Sequence, residues 1–349
     1  MAHRETINPP AGRRPWAIAT AAVLALASLA FPAAGRDAVA AVAAVAAVAA
    51  PDPPGPSPLT GLGGPAPGRP ALVVKIDNAP KARPQIGLNQ ADVVVEEMVE
   101  GGITRFAAIF HSQDADPVGP VRSARSTDIG IASALQRPLF AYSGANRVFE
   151  EQVRRAPLVD VGAKAAPDRY HRDRARRAPY NLFSRTPALW QLAPADAVAP
   201  PAVFVYRAPG EAASGAGMVA AQRATVRWAT PVEWSWDPAI SAWWRDQGGR
   251  RHVDAAGRGV AAGNVVVQFV DYRDTGLRDS SGAVVPEAQV LGEGDAWVLT
   301  GGQLVPGRWS KASDEAVTRY TDSTGADIRL APGRTWIELA PPGTAEHAP

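Results

Sequence analysis

Ala71–Ile76 is a short apolar run that breaks into Asp77-Asn78-Ala79-Pro80. This reads as a strand followed by turn chemistry, because Asp and Asn bond their own backbone and Pro stops a strand. Further on, the β-rich runs Val93–Val99 and Ile103–Phe110 flank Gly101-Gly102 and predict a hairpin with a two-residue turn. In that register Glu100 faces Ile103, Met98 faces Arg105 and Glu96 faces Ala107, all on one face because side chains alternate with a period of two. The other face, with Val93, Val95, Val99, Phe106, Ala108 and Phe110, is apolar and is expected in the core. Arg105 then lies diagonal to Glu96 and Glu100, ~7–8 Å away and within reach of a long side chain, so the pattern predicts a Glu–Arg–Glu cluster.

Gly119–Asp128 leads into helical spacing at Ile129, Ala132 and Leu135, with Ser126, Thr127 or Asp128 as the cap. Pro138–Tyr142 reads as a strand that ends in the polar turn Ser143–Asn146 before a helix over Arg147–Arg155. Beyond residue 200 the pattern changes to short strands and turns: Val203–Tyr206, Val232–Trp236, Ala242–Asp246, Arg251–Asp254, Val265–Val270, Trp297–Thr300, Gln303–Val305 and Thr335–Leu339. Gly248-Gly249 and Gly301-Gly302 are hairpin turns, and the first places Asp246 opposite Arg251. The expected architecture is α+β or α/β. A mixed α/β domain over 59–200 precedes a smaller, mostly-β domain over 201–342, and residues 343–349 form a disordered tail.

The amino-terminal stretch follows different rules. Arg13 and Arg14 precede Pro15–Gly35, twenty-one uncharged residues, which is the charge asymmetry of an export signal with its amino end inside. Small residues at Ala33-Ala34 and at Ala38, Ala40 and Ala41 suit cleavage, while the span also suits a retained anchor near the ~20 residues that cross a bilayer. Residues 1–37 are therefore a signal peptide or membrane anchor. Residues 38–58, an Ala/Val repeat of period three running into Pro and Gly, read as a tether.

Of 349 residues, 36 are Lys or Arg and 34 Asp or Glu; outside the first fifty the two signs balance at 32 each. That balance excludes a general nucleic-acid binder, which needs surplus cations facing phosphates. The absence of Cys removes disulfides, thiolate metal sites and thiol catalysis. The five His are scattered without metal-ligand spacing, and neither a phosphate loop nor a dinucleotide fingerprint is present. No metal or cofactor is implied.

The candidate binding residues are Asp77, Asn78, Arg83, Glu96, Glu100, Arg105, Arg122, Ser123, Arg125, Asn146 and Asn181. Arg122 and Arg125 beside a helix start suit a carboxylate or phosphate, or else pair with Glu96 or Glu100. Ser123 between them lacks a nucleophile elbow and an assignable His. Glu96 and Glu100 on one strand are roughly 13 Å apart, too far for a paired glycosidase site. Five Arg fall within 169–177, a solvated loop or a contact for an acidic wall polymer or lipid. Eight of the ten Trp lie between 228 and 336. Core packing is their default, although Trp243 and Trp244 must point to opposite faces, which leaves one for sugar stacking.

Several segments taken together carry a resemblance. Lys75–Asn78, Ala82–Leu88, Ala91–Val94, Glu100–Phe106, Gly119–Arg125, Ala178–Leu182, Asn264–Gln268 and Pro332–Ile337 resemble, in order, the YerB-like family of bacterial envelope lipoproteins. The resemblance covers roughly 59–342 and implies a two-domain extracytoplasmic protein. The family's lipidated Cys is missing here, so anchorage would fall to the amino-terminal helix. Tyr180 stands where the family commonly has His, which weakens any imidazole chemistry at that position.

The leading expectation is an extracytoplasmic, non-catalytic module, secreted or membrane-anchored, that binds a cell-wall component or envelope protein and no nucleic acid. The alternatives are a glycan-directed hydrolase or transferase using Glu96 or Glu100 as acid or base, and a scaffold for another envelope protein.

Overall fold

The computed structural model describes residues 55–64, 68–279 and 282–349. The proposed signal or anchor and most of the tether lie outside the described residues. The amino-terminal half contributes β1 (Leu72–Asp77), β2 (Val93–Met98), β3 (Thr104–Phe110), α1 (Thr127–Ala132), β4 (Leu139–Ala141), α2 (Arg147–Arg155) and β5 (Val159–Asp160). The carboxy-terminal half contributes β6 (Arg223–Val226), β7 (Val232–Asp237), β8 (Ala242–Gln247), β9 (Asn264–Phe269), β10 (Gly292–Thr300), β11 (Gln303–Lys311), β12 (Arg319–Thr321), β13 (Thr335–Ala340) and β14 (Ala345–Ala348).

One sheet runs through both halves in the order β12-β11-β10-β9-β13-β2-β3-β1-β4-β5. The seam is β13, which lies parallel to β9 on one side and to β2 on the other. Strands at such a centre are covered on both faces, which is why β1 and β3 are buried along their whole length. A second sheet, β8-β7-β6-β14 with short additions, covers one face. Trp234 of β7 meets Trp336 of β13 edge-on at 5.3 Å, and Trp243 of β8 is fully buried beside them.

The architecture is mostly β. Helices do not layer both faces as an α/β domain would have them; the described residues hold three short α-helices, and a sheet does the covering instead. The expected disordered tail is corrected as well, since β14 pairs antiparallel with β6. Val203–Tyr206 is not a strand beyond an isolated bridge from Tyr206 to Leu330. The expected helix at Arg147–Arg155 forms, as does the Asp246–Arg251 pair, at 2.7 Å. Trp244, on the face opposite Trp243, donates to Asp237 at 2.9 Å and carries Arg251 over its ring at 4.8 Å.

Candidate functional site

The loop between β2 and β3 sets where their polar side chains point. Glu100–Gly102 makes a single 3-10 turn with φ of 70° at Gly101 and 73° at Gly102, a conformation that glycine adopts at no steric cost. The Val99 N–H closes it by donating to the Ile103 carbonyl at 2.8 Å. The turn therefore takes one residue more than the predicted two. Pairing becomes Glu96 with Phe106, Glu97 with Arg105 and Met98 with Thr104. A slip of one residue exchanges the faces, and this separates the predicted cluster: Arg105 keeps Glu100, at 3.6 Å, while Glu96 turns to the other side of the sheet.

There Glu96 is sealed between the two sheets with no exposure. Arg245 of β8 donates through Nη2 to both of its oxygens, at 3.0 and 2.8 Å. The Thr104 hydroxyl donates at 2.6 Å, the Trp336 indole N–H at 3.2 Å and the Asn78 amide at 3.3 Å. Arg245 Nη1 donates to His252 Nδ1 at 2.8 Å. That leaves the imidazole proton on Nε2, which donates to Gln85 at 2.8 Å. Burial, with Arg245 and Arg83 alongside, holds His252 well below its ordinary value and hence neutral.

Beside Glu96 in register is Glu338 of β13. It accepts the indole N–H groups of Trp228 and Trp234 at 2.9 and 3.0 Å. Burial first, and the neighbouring Glu96 second, push it up to about 8. The fold thus holds a proton that the unfolded chain releases above about 4.5, so this contribution is complete below that value and is lost as pH rises through about 8. In urea unfolding at successive pH values, Glu338→Gln is expected to gain stability relative to the parent across this window. A difference independent of pH would mean that Glu338 is ionised throughout.

The opposite face of β1 carries a more open group of charges. Asp77 accepts Arg122 Nε at 2.7 Å and the Ala79 N–H at 2.9 Å. Glu100 accepts Arg125 Nε at 2.5 Å. Arg105 donates through Nη1 to the Ser123 carbonyl at 3.1 Å, and its buried Nε has no partner. Burial, followed by the repulsion of Arg125, pushes Arg105 down to about 10. Three guanidinium groups here face two carboxylates, and Arg122, 26% exposed, is the most open of them. The arrangement can satisfy an anionic group with charge-assisted hydrogen bonds.

The remaining predicted residues divide. Arg83 Nε donates to Asn78 Oδ1 at 3.1 Å, and Asn78 in turn donates to Thr104 at 2.7 Å, so both serve the sealed network. Asn146 caps α2 by accepting the Val148 N–H at 2.9 Å. Asn181 accepts Arg172 Nη1 at 2.7 Å. Neither of these asparagine side chains joins the arginine group. Ser123 joins it through its carbonyl.

One cluster escaped the sequence reading. Lys75 Nζ donates to Glu97 and to Asp128, the latter at 2.7 Å, with all three side chains at most 1% exposed. Asp128 also accepts the Arg125 N–H at 2.7 Å. Burial pushes Glu97 up, and its Oε2 has no partner. The signal was a Lys inside an apolar strand together with the tandem Glu96-Glu97, whose alternation sends neighbouring carboxylates to opposite faces. Among the described residues no three His, Cys, Asp or Glu side chains are placed to hold a metal ion.

Residues 59–199 match the family model described as the N-terminal domain of a protein of unknown function, DUF3048, and residues 224–337 match its C-terminal domain. "Putative lipoprotein YerB" of Bacillus subtilis (strain 168) is 50% identical over 76 residues, which span 22% of this chain and 22% of that protein. The crystal structure of the YerB protein from Bacillus subtilis is similar in fold, with a TM-score of 0.71 over 84% of this chain and 99% of that one, at 23% identity.

Proposed function

The chain belongs to the DUF3048 family, and from that premise we propose that it is a non-catalytic binding module of the cell envelope. It grips an anionic group of a wall component or envelope partner between Arg122, Arg105 and Arg125. The observation that carries this reading is the surplus guanidinium at the end of β1, with Arg105 Nε buried and unpartnered. The name of the Bacillus subtilis relative, a lipoprotein, supports a place outside the cytoplasmic membrane, with residues 1–37 as signal or anchor. Acid–base chemistry is less well supported. Glu96 is closed to solvent and bound by Arg245, and Glu100 is held by Arg125.

The test is retention of the full-length protein on isolated wall fragments. Removing one charge-assisted contact costs about 1.5–3 kcal/mol, so Arg122→Ala is expected to weaken retention by roughly tenfold or more while the circular dichroism spectrum is unchanged. Undiminished retention in folded Arg122→Ala and Arg105→Ala would overturn the assignment. Soluble products that disappear in Glu100→Gln would install an enzyme in its place.

A further inference from the structure

Exposed cations on this protein are, as a rule, matched by a carboxylate: Arg137 by Asp196, Arg155 by Glu151, Arg308 by Glu293 and Asp295, Arg319 by Asp327. The exceptions are concentrated. Among the described residues, apart from Arg147 and Arg250, every exposed Lys or Arg without a carboxylate partner belongs to one small region: Lys81, Arg172, Arg174, Arg177 and Arg185.

Contacts join the segments that carry these residues. His171–Arg172 pairs with Leu182–Phe183 as a two-stranded ribbon. Arg176 straps the ribbon to the turn that carries Lys81, donating to the carbonyls of Ala82 and Pro84 at 3.1 and 2.8 Å, with its guanidinium 5.2 Å above the Phe183 ring. On its other side the ribbon accepts the Val121 N–H at the Leu182 carbonyl, 2.7 Å away, which sets it beside Arg122. Because the chain beyond residue 50 is neutral overall, this is a local surplus that the rest of the surface offsets.

Ser57, near the amino end of the described chain, bonds His111 at 3.4 Å, immediately after the Phe110 that pairs with Leu72 at the start of β1. Asp77 and Arg122 lie at the other end of that strand, about 17–20 Å away for six extended residues. The Arg122 end of the sheet, beside which the ribbon lies, is therefore remote from the end at which Ser57 is held.

We infer that this face binds a linear polyanion, a flexible chain carrying closely spaced phosphates, and that it extends the arginine site proposed above, on which it rests. A guanidinium presents a planar fork to a phosphate. Several unmatched guanidinium groups in one region are best relieved by one chain that neutralises more than one of them and releases its counterions.

Long-chain inorganic polyphosphate is the probe, titrated against the full-length protein by fluorescence anisotropy over a series of salt concentrations. Arg174 and Arg177 make no side-chain bonds among the described residues, so Arg174→Gln with Arg177→Gln is expected to leave the melting temperature unchanged. The double variant should bind about tenfold more weakly, and its slope of log K against log salt should be shallower by about 1.4, two phosphates' worth for a single-stranded polyanion. Unchanged affinity and slope would overturn the proposal. So would equal binding to phosphatidylglycerol vesicles, which points to a membrane surface, or competition by free phosphate at equal phosphate concentration, which points to a single-anion pocket. If the double variant loses polyphosphate while Arg122→Ala keeps full retention on wall fragments, this face stands and the reading centred on Arg122 falls. If instead the double variant keeps polyphosphate while Arg122→Ala loses retention, the site at Arg122 stands and this face falls.

Discussion

Glu96→Gln is expected to destabilise the fold by about 3–5 kcal/mol, the usual cost of stranding one partner of a buried ion pair. The replacement keeps the shape and removes the charge. Arg245, with no exposure, then has no anion in contact, and one oxygen is left where two accepted from Arg245, Thr104, Asn78 and Trp336. Glu338 moderates the loss. It is pushed up partly by Glu96 and drawn down by Arg245, so without Glu96 it ionises more readily and takes over part of the neutralisation. Two consequences follow for urea unfolding. Glu96→Gln should weaken further as the medium becomes acidic and Glu338 regains its proton. The double variant Glu96→Gln with Glu338→Gln should cost more than the sum of the single variants. Additivity within about 0.5 kcal/mol would mean the two carboxyl groups do not share Arg245.

Lys75→Met should cause a loss of similar size, at about 3 kcal/mol or more. Its ammonium is the cation between Glu97 and Asp128, none of the three being more than 1% exposed. Without it Glu97, already pushed up by burial, takes a proton, and Asp128 keeps only the Arg125 N–H and the start of α1. Replacing a buried pair by apolar groups of like volume is commonly close to neutral. Lys75→Met combined with Glu97→Leu should therefore be more stable than Lys75→Met alone. A less stable double variant would show that Glu97 contributes through contacts other than the ion pair.

These two networks mark the limit of what periodicity reveals. The strand in the run Ala71–Ile76, the helix at Arg147–Arg155 and the Asp246–Arg251 pair were legible because each is decided within a few residues, whereas Asn146, read as a binding residue, is the cap of that helix. The β2–β3 register was not legible, because Gly-Gly serves a two-residue turn and this three-residue turn equally well, and the difference of one residue moves Glu96 from one face to the other. The arginine group at the end of β1 was partly legible, since Arg105 meets Glu100 in either register. Nothing local announces Arg245, which reaches Glu96 across 149 residues, or the proton held by Glu338. The sheet that covers helix-free faces was also out of reach, because the burial of Trp234 and Trp243 becomes a statement about β2 and β13 only after the halves are joined.

The position of β13 also dictates an order of events. Val93 of β2 waits for Thr335 as its neighbour, and the same late strand supplies the partner of β9. Until nearly the whole chain has been made and has emerged, β2 and β9 each present a row of unpaired backbone groups, and Glu96 is an uncovered carboxylate. A large sheet that closes on the latest of its strands folds slowly, since long loops must be ordered before their contacts form, and its open edges invite pairing with other chains in the meantime. A chain that stops short of residue 335 lacks more than an end: it lacks the piece that turns two half-sheets into one.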